Sequence, residues 1–178
     1  MNDRPQANGT DTGGSGPARD RLLGIYLNDH LAGAAAVTDR ARSLAAALSE
    51  TPSGPALHAL ARESAEDRGS LLGIMRALGV PVRRHKLALG RTAERLGRLK
   101  SNGRLVSRSP LTSLVELEAL RLGVLATSDA WRTLRRLAET DGRLDARLLD
   151  GLLARAERRQ AELEELCRRQ VTETFARA

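Results

Sequence analysis

From residue 18 onward, apolar side chains recur every three or four positions, and four long stretches hold that spacing. Leu22, Leu23, Tyr26, Val37, Ala41, Leu44 and Leu48 fall on one stripe, which predicts a first helix from about Ala18 to Ser49. Thr51-Pro52-Ser53-Gly54-Pro55 breaks it. A second helix is expected from about Ala56 to Leu78, with Leu57, Leu60, Leu71, Met75 and Leu78 inward, Gly79 as its stop and Pro81 just beyond. Ser109-Pro110 opens a third, with the Ser109 hydroxyl expected to accept from first-turn amides and Pro110 preset for the first helical position. It runs to about Glu139, and Asp141-Gly142 turns the chain into a fourth, from about Leu144 to Ala176.

The two helical hairpins are joined by residues 79–109, too long for a simple loop. A helix the size of the second is ~35 Å long, so such a link is suited to run back along the bundle. Within it, residues 83–100 have the pattern of a short extra helix, with Leu89, Ala93, Leu96 and the preceding Val82 on one side and Arg84, Arg91, Arg95 and Arg98 on the other. Residues 1–17 are polar and rich in Gly, Asn and Thr, and are expected to be a disordered tail ahead of one bundle domain, 18–178.

Composition sharpens this picture. Aromatic residues make up 2% of the chain, so the core must be built from Leu, Ala and Val, which suits helix on helix and leaves strands little to form from. The net charge of +7 is carried almost wholly by arginine, and Arg pairs well with carboxylates and phosphates. The single cysteine, Cys167, excludes an intrachain disulfide and Cys-based zinc patterns, and it is expected to be buried and inert. No apolar run approaches the ~18 residues of a membrane span, and a cytoplasmic location is expected.

The phrases Tyr26-Leu27-Asn28-Asp29-His30-Leu31-Ala32-Gly33, Leu99-Lys100-Ser101-Asn102-Gly103-Arg104 and Ser109-Pro110-Leu111 through Glu116-Leu117-Glu118 resemble those of small actinobacterial proteins of unassigned function. With the long crossover, they make the chain similar to the ferritin-like four-helix-bundle superfamily over about Ala18 to Ala176. That resemblance implies an all-α bundle. In metal-binding members, a carboxylate from each of two helices and a Glu-x-x-His from each of the others hold a di-metal centre. This chain contains no Glu-x-x-His; its nearest counterparts are Glu63-Ser64-Ala65-Glu66 and Glu157-Arg158-Arg159-Gln160.

Setting each helix by the mean direction of its Leu, Val and Met residues decides what points inward. Glu66, Glu157 and Glu116 fall toward solvent and Glu63 on a flank. His30 and Gly33, Ser64 and Arg68 with Asp67 nearby, Glu118 and Arg121, and Arg159 and Gln170 fall inward. Guanidinium groups are at least as numerous there as carboxylates, and they repel cations while competing for the acids. The expectation is therefore a buried polar network of His30, Arg68, Glu118, Arg121 and Arg159, in which loss of Glu118 does more harm than any surface change. Gly33 is expected to admit a neighbouring helix, and Trp131 to pack in the core.

Residues 83–108 hold seven Arg and two Lys against one acid, Glu94, without interleaved aromatics for base stacking. No phosphate loop, Ser-His-Asp set or paired-carboxylate constellation is present. The chain thus reads as a non-catalytic ferritin-like bundle without a cofactor, a structural or interaction module that pairs as a homodimer through its Leu-rich helices or with another protein. Two further readings stand beside it. One is an iron or manganese protein with an atypical site near His30, Asp67 and Glu118. The other is a low-specificity binder of anions, nucleic acid or anionic lipid through Arg84, Arg91, Arg95 and Arg98.

Overall fold

Long runs of good helix formers, punctuated by Pro and Gly, produce four helices. The computed structural model describes residues 15–83 and 109–176, with α1 over Ser15–Ala47, α2 over Gly54–Ala77, α3 over Pro110–Leu137 and α4 over Ala146–Phe175. No strand occurs among the described residues. α1 begins at Ser15, inside the stretch expected to be a tail. The crossover helix, with Arg84, Arg91, Arg95 and Arg98, lies outside the described residues, as do residues 1–14.

The ends follow local chemistry. Gly79 adopts φ +70°, the left-handed conformation glycine favours, and donates to Arg76 O while Val80 donates to Met75 O, a Schellman stop to α2. The Asp145 carboxylate caps α4 by accepting from the amides of Arg147 and Leu148, at 2.9 and 3.1 Å. Ser109 departs from expectation, because its hydroxyl makes no capping bond and only its carbonyl accepts from Thr112 and Ser113. At the α1–α2 turn, a Cβ on Gly54 would overlap the Ser49 carbonyl oxygen, so the tight turn there requires glycine.

Side-chain pairings give the arrangement. Tyr26 reaches Thr133 and Val37 lies against Gly123, so α1 and α3 run antiparallel. Arg159 meets Glu63, Arg155 meets Glu66 and Arg143 reaches Leu78, so α2 and α4 do too. With the two hairpins, every adjacent pair is antiparallel, and α2 ends at the opposite end of the bundle from where α3 begins. A Cβ on Gly123 would overlap Val37 Cγ2, and its absence lets α1 and α3 approach closely. Gly33 does not play that part: it is exposed, with open space where a side chain would be.

Two polar devices hold the end where α2 stops. Buried Asn28 donates to the Gly24 and Pro81 carbonyls, at 2.8 and 3.0 Å, and accepts from the Arg83 amide at 2.7 Å, latching the chain after α2 onto α1. Arg143 grips Asp141 with two guanidinium bonds of 2.8 and 2.7 Å and also reaches the Leu78 carbonyl and Asp20. The hydrogen bonds from Arg143 hold the Asp141 carboxyl at about 2, below its ordinary 3.8, with Arg19 adding to the effect. Since that proton binds more weakly in the native state, the stabilisation is complete above about pH 4 and is lost as pH falls through about 2. Asp141→Asn is expected to lower stability at neutral pH and to flatten the decline between about pH 4 and about pH 2. Urea unfolding midpoints across that range are the measurement, and an unchanged acid limb would show that Asp141 does not shape it.

Candidate functional site

The core is not continuous. One apolar cluster holds Leu27, Leu31, Leu71, Met75, Trp131 and Leu149; a second holds Leu44, Leu57, Leu60, Leu117, Leu120 and Leu163. Between them every helix contributes polar residues: Thr38 from α1, Ser64 and Asp67 from α2, Ser128 from α3 and Arg159 from α4, all buried. Thr38 donates to the Ala34 and Ser64 carbonyls, at 2.8 and 3.2 Å, and so joins α1 to α2 within this belt.

The charged half of the belt spans α2 and α4. Arg159 Nη2 donates to Asp67 Oδ2, with both side chains buried. Arg159 Nε lies 3.7 Å from Glu63, while Arg155 lies 3.2 Å from both Asp67 Oδ1 and Glu66 Oε2. Backbones approach closely within each hairpin and between α1 and α3, whereas the α2–α4 seam is bridged by these long side chains. Burial pushes the Asp67 carboxyl above its usual range, against the opposing pull of Arg159 and Arg155. A buried pair of this kind sets alignment more than it adds net stability.

Of the expected inward network, Arg159 stands in the belt and Arg68 is partly buried on α2. His30 is half-buried at the α1–α3 seam, its ring centroid 4.3 Å from that of Tyr26 and tilted 58°. Burial lowers its pKa, opposed by Asp29 and Asp129. Glu118 and Arg121 depart from expectation: both are exposed, and Glu116 is the half-buried member of the acidic pair. The cause is a second apolar stripe on α3, Leu111, Val115, Leu122 and Leu125, which is exposed and swings the mean apolar direction toward Glu118. Glu63 and Glu66, placed on a flank and toward solvent by phase, nonetheless engage Arg159 and Arg155.

His30, Asp67 and Glu118 are not brought together. His30 lies two turns before Thr38 on α1, ~12 Å from the belt, and Glu118 lies ten residues before Ser128 on α3, ~15 Å toward the opposite end. Among the described residues no group of three or more His, Cys, Asp or Glu is placed to hold a metal ion, and no helix is long and apolar enough to cross a membrane. Cys167 is buried, with its thiol pushed upward chiefly by that burial.

Arg155, Thr38 and Ser128 were not singled out by helical phase. Arg155 sits on a flank and reaches inward along its stem, while the two hydroxyl residues are small enough to pass for core positions. No protein-family model, no curated protein and no solved structure matches the chain.

Removing Asp67 alone strands a buried guanidinium, so Asp67→Ala is expected to cost about 3–5 kcal/mol in chemical denaturation. The double variant Asp67→Leu/Arg159→Met removes both charges and is expected to recover most of that loss. Glu118→Ala should stay within about 0.5 kcal/mol of the wild type. A double variant as damaged as Asp67→Ala would show that the pair stabilises the fold outright.

Proposed function

We propose that the chain is a ferritin-like bundle that has exchanged metal chemistry for structure, acting as a non-catalytic interaction module in the cytoplasm. The carrying observation is the Asp67–Arg159 pair at the middle of the bundle, flanked by Glu63, Glu66 and Arg155. There guanidinium groups engage the carboxylates that a cation would need. The all-antiparallel neighbours, and the placement of the α2 end and α3 start at opposite ends, support the ferritin-like part of the proposal. The partner is a second copy. The stripe Leu111, Val115, Leu122 and Leu125 is exposed, at the alternating spacing of a helix–helix seam, with Glu118 in its middle and Arg121 at its edge. In an antiparallel, two-fold pairing centred near Leu120, each Glu118 faces the partner's Arg121. Centred there, the two stripes overlap over Val115–Leu125, eleven residues or ~16 Å, and bury less than a standard interface, so the association is weak.

Two measurements test this proposal. Elemental analysis of gently purified protein is expected to find no stoichiometric metal; iron or manganese that disappears in Asp67→Asn would sink the non-metal reading. Sedimentation is expected to show concentration-dependent dimerisation that Leu122→Arg abolishes. A chain that stays monomeric at high concentration would reject the second copy as partner.

A further inference from the structure

Where the two apolar clusters part, the helices bring small side chains to one level. Counting from the Glu63–Arg159 contact, Ser64 stands opposite residue 158 of α4; counting from the Arg135–Asp150 bond, Ser128 stands opposite residue 157. Thr38 joins them from α1 through the Ser64 carbonyl. The clusters on either side are rich in leucine, whereas here the inward residues are Thr38, Ser64, Ser128 and Ala156, none more than 3% exposed. Such side chains leave room that leucine would close, and the α2 and α4 backbones do not approach closely beside them.

Four buried polar atoms at this level have no hydrogen-bond partner among the described residues: Ser64 Oγ, Ser128 Oγ, Trp131 Nε1 and Arg159 Nε. Arg159 Nε has only the Glu63 carboxylate near it, at 3.7 Å. Trp131 follows Ser128 by one turn, and an aromatic side chain on a helix leans toward the N-terminus, which carries the indole toward the serine. A buried polar atom left bare is costly, and native proteins meet that cost with a partner.

Chemistry selects the partner. A cation would be repelled by Arg155 and Arg159, and an anion by Asp67 and Glu63. Trp131 Nε1 and Arg159 Nε can only donate, while the serine hydroxyls donate or accept. A small neutral molecule with both lone pairs and protons meets all four demands.

We infer that ordered water occupies this level, accepting from Trp131 Nε1 and Arg159 Nε and hydrogen-bonded to the Ser64 and Ser128 hydroxyls. Through Ser128 and Trp131 it ties α3 to the Asp67–Arg159 belt, as Thr38 ties α1. The water is held whether or not a second copy binds.

A high-resolution crystal structure of the full chain is the first test. Water is expected within about 3 Å of Trp131 Nε1 and of at least one serine oxygen. A dry layer, a bound ion, or a direct bond from Trp131 Nε1 to a protein acceptor overturns the inference. Urea unfolding is the second test. Removing a hydroxyl bonded to water loses that bond, whereas removing a bare one relieves its burial. Ser128→Ala and Ser64→Ala are therefore expected to lower the urea midpoint relative to Ser43→Ala, which makes the same gain in helix propensity at a half-exposed position of α1. Midpoints at or above that reference for both variants overturn the inference.

Discussion

The pairing of Asp67 with Arg159 is the constraint on which the rest of the bundle depends. It lies between two apolar clusters, each of which packs well by itself and each of which would accept many relative placements of smooth Leu and Ala surfaces. Charge removes that freedom. Sliding α4 by one turn, ~5.4 Å, would carry Arg159 into a leucine layer and leave Asp67 desolvated without its partner. Thr38, donating to the Ser64 carbonyl, ties α1 to the same level, so the belt specifies the alignment of α1, α2 and α4.

The bundle is built unevenly around that belt. Along α1 and α3 the helices meet through small or flat groups, with Gly123 receiving Val37 and Tyr26 lying under Thr133. Along α2 and α4 they stand farther apart, and arginine side chains fill the width. A narrow seam opposite a wide one tolerates long charged residues in the middle without opening the core. The end devices then hold what packing alone would leave loose: Asn28 fixes the exit from α2, and Arg143 joins the α3–α4 turn to α1 and α2.

The helices and their turns were legible in the sequence because helical spacing and the Pro and Gly signals agree at nearly every boundary. The polar interior was legible only in part. Arg159 and Ser64 were found because α2 and α4 each have one dominant apolar face, so their mean direction points to the core. On α3 the mean apolar direction misleads, since Leu111, Val115, Leu122 and Leu125 form a second apolar face that the core does not use. Glu118 lies among them and was drawn inward by its neighbours' hydrophobicity. Arg155 escaped for another reason: phase reports where a Cα sits, and its long side chain reaches inward from a flank to buried Asp67.

The latch and the clamp lie at one end, but the charges of the belt are divided by hairpin. Glu63, Glu66 and Asp67 belong to the α1–α2 hairpin, and Arg155 and Arg159 to the α3–α4 hairpin. Each hairpin alone leaves Asp67 or Arg159 hydrated and without the other, so the desolvation is met only when the two halves close on each other. Only the orientation that brings the acids to the arginines meets that cost. The belt therefore acts as a recognition surface between two parts of one chain.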